Sequence, residues 1–139
     1  MCHTTRVTPI RFTLRPGRPI VEQVIFAVQR ALLSGEYRPG QAFPSVRTLA
    51  AELKIHPNTA HKVVQRLIQE RWLEAHPGIG TVVAELPKAR AGDRQRLLQE
   101  QVEQLVVEGR RVGVRLQDLV EAISREWSKI DQAREANES

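Results

Sequence analysis

The chain has 139 residues and a net charge of +5, and 41% of its residues are hydrophobic. This length allows one small domain with an appendage, and no stretch approaches the roughly 20 apolar residues of a membrane span. The start lacks a signal-peptide core, so we expect a cytoplasmic protein. The single cysteine, Cys2, excludes a disulfide framework and a Cys-rich metal site.

The positive charge lies in one part of the chain. Residues 1–86 hold 11 Lys and Arg against 6 Asp and Glu, whereas residues 87–139 hold 10 against 10. A basic segment gains salt-sensitive affinity for nucleic acid by releasing counterions. The charge therefore indicates nucleic-acid binding in the first part and does not by itself separate DNA from RNA.

Catalytic and metal-binding patterns are weak. No two of the four histidines stand three or four residues apart, the spacing that places two metal ligands on one helix face. No pair of carboxylates falls in a pocket-forming loop. Cys2 and His3 beside a free amino terminus can capture a soft metal ion, which we take as incidental. We predict no enzyme activity, no metal site and no cofactor.

The first predicted element is a basic arm followed by a helix. Apolar and polar residues alternate over residues 10–14, which is enough for a short strand or an arm. The arginines within and beside this stretch, Arg6, Arg11, Arg15 and Arg18, can contact phosphate. A frayed, solvated terminus is the alternative. Pro19 then opens an amphipathic helix that closes at Ser34-Gly35, where glycine suits a left-handed cap. The loop 36–44 follows, with Phe43 predicted to fill its junction with the next element.

Two short helices with a tight break come next. Ser45 is a good N-cap, and apolar residues then repeat at helical spacing to about Lys54. The second helix begins at Pro57, whose missing N–H costs nothing in a first turn. Its apolar face is formed by Ala60, Val63, Val64, Leu67 and Ile68. This order predicts a helix-turn-helix.

The opposite face of the second helix is polar. Asn58, Lys62, Gln65 and Gln69 form a stripe, and Thr59 and His61 flank it. In helix-turn-helix proteins the second helix enters the major groove, where Asn suits adenine and Lys suits guanine. An ordinary solvated face is the alternative, although the helix carries no acidic residue before its far end at Glu70.

A glycine-rich hairpin is predicted after the second helix. Two short apolar runs flank the segment 76–80, His-Pro-Gly-Ile-Gly, which favours a turn with positive φ. In a winged motif this hairpin is the wing. Gly78 and Gly80 allow close approach to a sugar-phosphate backbone, and His76 and Thr81 can add contacts. A purely structural need for glycine in the turn is the alternative.

From residue 12 to residue 83 the chain resembles the DNA-binding domain of the GntR family of bacterial transcription regulators. The resemblance rests on the segments PIVEQV, SGEYRPGQAFPSVRTLAAEL, PNT and GIGTVV, in that order. It implies a winged helix-turn-helix and a set of DNA-contacting positions: Ser45, Arg47, Asn58, Thr59, His61 and Gly78. Arg47 also suits a phosphate contact on physical grounds, with a solvated arginine as the alternative.

Three positions depart from the family pattern. His56 precedes Pro57 where a better N-cap such as Asn or Ser is usual, so the recognition helix is expected to start differently. Arg71 stands where relatives commonly have glycine, and it is strained if its backbone is left-handed. Pro77 and Ile79 replace basic residues at the wing tip, which weakens the expected attraction between wing and phosphate.

Beyond a short linker, residues 87–92, the tail 93–139 shows two helical patterns separated by a predicted break at 109–113. Together they predict a helical hairpin with a narrow apolar seam. Two helices make a poor core, so the seam is expected to bring two copies together, with packing inside a monomer as the alternative. The predicted dimerisation residues are Leu98, Val102, Leu105, Leu116, Leu119, Val120, Ile123 and Trp127.

The short tail resembles that of the YtrA-type subfamily, whose members are generally dimeric repressors. We therefore predict a mainly α fold with a small β-hairpin, a winged helix-turn-helix followed by a C-terminal two-helix dimerisation segment. The predicted function is a dimeric, sequence-specific duplex-DNA-binding repressor acting on an inverted repeat, with an unidentified small-molecule effector possible. A winged-helix protein-interaction module and an architectural DNA-binding protein are the alternatives.

Overall fold

The computed structural model describes residues 10, 13–85 and 89–138, which form two compact units. Residues 10, 13–85 and 133–138 make up the first unit, and residues 89–132 the second. The predictions for Cys2, His3, Arg6, Arg11 and the first part of the linker concern positions outside the described residues. The elements in chain order are α1 (Ile20–Leu33), α2 (Val46–Leu53), α3 (Pro57–Gln69), β1 (Leu73–His76), β2 (Gly80–Val83), α4 (Asp93–Arg96), a π-helical segment (Leu97–Gln101), α5 (Val102–Val112) and α6 (Leu116–Glu138).

The first unit is a three-helix core with a hairpin. Helices α1 and α2 both pack against α3, because each presents an apolar stripe at helical spacing and α3 supplies the shared surface. The predicted apolar face of α3 is buried, with Leu67 fully inaccessible, and Ile68 is partly buried. Phe43 is buried as predicted and its ring centroid lies 5.4 Å from that of Tyr37. The mainly α fold with a small β-hairpin is confirmed.

The two motif helices begin at capped residues. Ser45 Oγ accepts a hydrogen bond from the Thr48 amide at 3.1 Å, as predicted for an N-cap. His56 caps α3 in the same way, since its Nδ1 accepts from the Asn58 amide at 3.0 Å. The helix therefore begins at Pro57 despite the unusual cap, and the expected change in its start does not occur.

Lys54 and Arg71 are the described non-glycine residues with positive φ, at 56° and 66°. Lys54 ends α2 and forms the break before α3. Arg71 ends the turn between α3 and β1, where the Trp72 amide donates to the Leu67 carbonyl at 2.9 Å. The left-handed conformation expected to strain Arg71 is therefore present, and it costs about 1–2 kcal/mol for an L-residue.

The hairpin is an antiparallel pair with Leu73 opposite Val83 and His76 opposite Gly80. The loop before α2 runs along the other side of β2. There the Phe43 amide donates to the Thr81 carbonyl and the Val83 amide to the Gln41 carbonyl, both at 2.9 Å. The base of the wing is thus hydrogen-bonded on both sides, which fixes it to the segment that leads into α2.

In the second unit the predicted break at 109–113 is confirmed only at its last residue. Helix α5 continues through Gly109 to Val112 and ends at Gly113, which takes a left-handed φ of 81°. Gly109 lies inside this helix and is buried by the side chain of Leu119: a Cβ built at Gly109 would lie 3.0 Å from Leu119 Cδ1. The π-helical segment before α5 was not predicted, since the apolar spacing gives no sign of an inserted residue.

The predicted apolar seam between the two tail helices is also not formed. Beyond the contact of Gly109 with Leu119, α5 and α6 do not lie against each other along their length. Leu119 is half-buried, while the other predicted seam residues are exposed. The apolar spacing correctly indicated two helices, but it did not decide whether their apolar residues face each other or solvent.

The last turns of α6 belong to the winged-helix unit and not, as predicted, to the tail. Asn137 Nδ2 donates to the Ser34 carbonyl at 2.8 Å, and Arg38 Nη2 donates to the Asn137 carbonyl at 3.3 Å. Asn137 Cβ would lie 3.5 Å from a Cβ built at Gly35. The Ser34 carbonyl is one of the terminal carbonyls that a helix leaves without an internal partner, so Asn137 satisfies the C-terminal end of α1.

Candidate nucleic-acid interface

The recognition helix α3 presents a polar face to solvent. Asn58, His61, Lys62 and Gln65 are exposed, and Thr59 is half-buried. No described residue forms a hydrogen bond or ion pair with the side chains of Asn58, His61, Lys62 or Gln65. Four hydrogen-bonding groups thus project from one helix without a protein partner, which is the arrangement that reading base edges requires.

The orientation of α3 is held by its other face and by an ion pair. Arg66 Nη1 lies 2.7 Å from Glu22 Oε1 on α1, and Arg66 Nε lies 3.5 Å from Glu70 Oε2. The hydrogen bond that Arg66 donates to the Glu22 carboxylate raises the pKa of Arg66 further above its ordinary range. Because its guanidinium is engaged by α1, Arg66 is a structural cation and not a free phosphate ligand.

The N-terminus of α2 supplies a second group of predicted contacts. Ser45 and Arg47 are both exposed in its first turn. Ser45 Oγ is occupied by the cap, where it also donates to Thr48 Oγ1 at 3.0 Å, whereas no described residue pairs with the Arg47 guanidinium. Free backbone N–H groups and an unpaired arginine at one helix N-terminus suit a phosphate oxygen.

The turn of the wing has the predicted form, with positive φ at its glycines. Gly78 and Gly80 have φ values of 79° and 111°, and a Cβ at either would meet open space. The turn closes with the Ile79 amide donating to the His76 carbonyl at 3.0 Å. The glycines are therefore required by backbone conformation, and the surface above them is open to a ligand.

Two predicted wing contacts are less available than expected. His76 Nε2 lies 3.0 Å from Glu74 Oε2, so an acidic group stands beside the wing tip, where it opposes phosphate binding. Thr81 is half-buried, and its backbone carbonyl accepts from Phe43. Since strand neighbours two apart share a face, the pairing of residues 74 and 76 could have been expected from their spacing.

Sequence reasoning missed one part of this surface, the role of His56. Because Nδ1 accepts from a backbone amide, the neutral imidazole carries its proton on Nε2. The signal was present, since the residue stands directly before Pro57, but histidine is an uncommon cap. His56 therefore extends the polar surface of α3 by one residue.

Other kinds of site find no support within the described ranges. There, no group of three or more His, Cys, Asp or Glu side chains can hold a metal ion. No helix in the described part of the chain is long and apolar enough to cross a membrane.

A helix-turn-helix followed by a hairpin wing, with an open polar face on α3, is the arrangement by which winged-helix proteins read duplex DNA. Residues 20–83 match the family described as bacterial regulatory proteins, gntR family. The chain is 34% identical over 121 residues to the HTH-type transcriptional repressor YtrA of Bacillus subtilis (strain 168), covering 86% of this chain and 89% of that protein. The chain therefore belongs to the GntR family and is a DNA-binding transcriptional regulator similar to YtrA.

Solved structures support the fold along most of the chain. A transcriptional antiterminator from Listeria monocytogenes EGD-e matches with a TM-score of 0.76 at 20% identity, covering 88% of this chain and 94% of that one. YtrA from Sulfolobus acidocaldarius, a GntR-family transcription factor, matches with a TM-score of 0.50 at 22% identity, covering 88% of this chain and 99% of that one. The relatives identified by sequence are transcriptional regulators and not enzymes.

Proposed function

We propose that the protein is a dimeric repressor that reads an inverted repeat in duplex DNA with α3. The observation that carries this proposal is the polar face of Asn58, His61, Lys62 and Gln65, which is exposed and has no described protein partner. Because the opposite face is buried, the helix presents these groups in fixed positions. Since its ligand is chromosomal DNA, we place the protein in the cytoplasm.

The proposed interface divides into reading and positioning contacts. Asn58 and Lys62 stand one helical turn apart on the exposed face, so both can reach base edges in one groove. Arg47, on the neighbouring helix, is assigned to phosphate, together with the open backbone at Gly78. Thr59 and Thr81 are half-buried and His76 faces Glu74, so we assign these three peripheral roles.

Dimerisation is supported by the apolar residues of the tail. Across the π-helical segment, α5 and α6, seven of the eight predicted contact residues are exposed, including Leu116 at 75% and Trp127 at 70%. Exposed apolar groups at helical spacing on neighbouring helices favour burial by a partner. A second copy is the simplest partner, because its two-fold symmetry matches paired half-sites.

Repression is supported by the similarity to a protein named as a transcriptional repressor. A dimer seated on an inverted repeat that overlaps a promoter excludes polymerase by occupancy, which needs no enzymatic step. The effector that would release it is not indicated by the DNA-binding surface.

The decisive experiment selects bound sequences from a pool of random duplexes at near-physiological salt. We expect an inverted repeat, whose spacing reports the separation of the two reading helices. Enrichment without a motif would instead assign the protein to the architectural DNA binders. No enrichment at all would favour a winged helix that binds proteins.

Substitutions then test the division of contacts. Asn58→Ala and Lys62→Ala are expected to weaken the selected site by about 1–3 kcal/mol each and random DNA much less, because they remove base contacts. Arg47→Ala should weaken both kinds of DNA alike and lower the salt dependence. Arg125→Gln, in α6, is the control for loss of charge alone. Equal losses on both DNAs for all three interface variants would refute base reading.

A further inference from the structure

A groove of about 500 Å³ runs along α1 on the winged-helix unit, and the proposed DNA contacts do not use it. The residues that matter among its lining are Arg15, Arg18, Glu22, Gln23, Phe26 and Arg30. Its volume lies within the range of pockets that hold small organic ligands. We propose that this groove binds an organic anion in which a flat ring is joined to a phosphate or carboxylate.

The arginines that line the groove are the reason to expect an anionic group in the ligand. Arg15, Arg18 and Arg30 line the groove, with Glu22 as the acidic member. Glu22 is already engaged at 2.7 Å by Arg66 from α3, so it offsets little of that positive charge. Within the described residues no carboxylate pairs with the guanidinium of Arg15 or Arg18. Guanidinium groups bind carboxylates and phosphates through two parallel hydrogen bonds.

The exposed side chain of Phe26 is the reason to expect a flat ring in the ligand. Its side chain is 62% exposed although it lies in the middle of a helix whose other apolar residues are mostly buried. The Arg30 guanidinium carbon lies 5.6 Å from the ring centroid, which places positive charge over the aromatic surface. A planar ring stacked on Phe26 covers this exposed apolar surface while its attached anion meets the arginines.

The groove wall is held in place before any ligand arrives. Gln23 Oε1 accepts from the Arg15 amide at 2.8 Å, and Gln23 Nε2 donates to the carbonyls of Arg15 and Arg18 at 3.0 Å each. One amide side chain thus fastens the irregular segment 15–18 to α1. Because the backbone of both arginines is fixed, less ordering is needed when a ligand binds.

The test is a titration of the full ¹⁵N-labelled chain, without DNA, followed by amide chemical shifts. Adenosine 5′-monophosphate and benzoate are the probes, while adenosine and inorganic phosphate supply the ring and the anion separately. We expect a dissociation constant of about 1 mM or tighter for adenosine 5′-monophosphate, with shifts in residues 13–30. Adenosine and phosphate should each bind at least about tenfold more weakly.

Variants separate the two recognition elements. Phe26→Ala should weaken binding at least about fivefold, the effect of losing one aromatic stacking partner. Phe26→Leu keeps an apolar side chain without a flat ring and should behave like the alanine variant. The double variant Arg15→Gln, Arg18→Gln should bind adenosine 5′-monophosphate no more tightly than it binds adenosine. Ile79→Ala, at another exposed apolar position, is the control and should bind like the parent chain.

Several results would overturn the proposal. Shifts confined to α3 would place the anion on the DNA-reading helix, and shifts confined to residues 97–127 would place the ring on the apolar tail. Equal affinity for adenosine and adenosine 5′-monophosphate would show that the arginines do not bind the anion. Binding of neither probe would exclude this ligand class. None of these outcomes bears on DNA reading, since the selection from random duplexes measures that separately.

Discussion

The two units of this chain differ in the burial of their apolar residues. In the winged-helix unit Leu49, Leu67 and Leu73 are less than 2% exposed, and three helices with a hairpin close one core. In the tail unit the residues at equivalent helical spacing, such as Leu116 and Trp127, stand mostly in solvent. The comparison shows that amphipathic periodicity specifies a helix with an apolar face, whereas burial of that face depends on how many neighbouring elements can cover it.

The largest expected effect compares one leucine from each unit. Leu67→Ala leaves a cavity in a closed core and should lower the free energy of unfolding by about 2–5 kcal/mol in urea denaturation. Leu105→Ala, at an exposed position of α5, should lower the free energy of unfolding of the winged-helix unit much less. Similar losses for both would show that Leu105 is covered in solution, either within the tail or by the second copy proposed above.

The next effect concerns the partner of the tail. Ile123→Glu puts a charge on the exposed apolar face and is expected to give monomers in sedimentation equilibrium, because a buried unpaired carboxylate is costly. Leu119→Glu should do the same, but it also removes the packing over Gly109, so Ile123→Glu is the cleaner variant. Glu121→Gln, on the same helix, is the control.

A dimer that survives both glutamate substitutions would refute the tail as the interface. Loss of the dimer should also reduce affinity for paired half-sites while leaving the affinity for a single half-site unchanged, which electrophoretic mobility shifts can measure.

A smaller effect is expected at the junction of α3 and β1. Arg71→Gly relieves a left-handed φ of 66° and should raise the free energy of unfolding by up to about 1 kcal/mol, once the greater freedom of glycine in the unfolded chain is counted. Arg71→Ala retains the strained conformation and should leave stability near that of the parent chain. Equal stabilisation by both variants would mean that the side chain, and not the backbone, is responsible.

The smallest effect is a pH dependence in the tail. Arg111 Nε donates to Glu108 Oε2 at 2.9 Å, and this lowers the pKa of Glu108 below its ordinary value of 4.5. The folded pKa lies below the unfolded one, so the pair contributes stability above the unfolded value and loses it as the pH falls through the folded value. The exposed pair should contribute little.

Thermal denaturation of the parent chain and Glu108→Gln checks this pair. A small difference in midpoint should be present at neutral pH and vanish once the pH falls below the lowered pKa of Glu108, where the carboxylate is protonated in the folded chain as well. A difference that persists in acid would indicate a contribution from packing instead of charge.

Sequence alone determined the winged-helix unit in considerable detail. The start of α2 at Ser45, the start of α3 at Pro57 and the hairpin around Gly78 follow from caps, proline and glycine, which act within a few residues. The polar stripe on α3 also follows from periodicity, because its opposite face had to be apolar to bury. The assignment of Asn58, Lys62 and Arg47 to DNA contacts stays a prediction.

What only the tertiary structure decided depends on groups far apart in the chain. Periodicity could not show that Gly109 is buried, because the side chain that covers it, Leu119, lies on another helix. It could not show that Asn137 completes the end of α1, since 103 residues separate it from Ser34. Nor could it bring Phe26 and Arg15 into one groove. The local sequence determines helix caps, turns and the apolar faces of helices. Contacts between distant segments depend on how those segments pack together, and the sequence of one segment does not specify this.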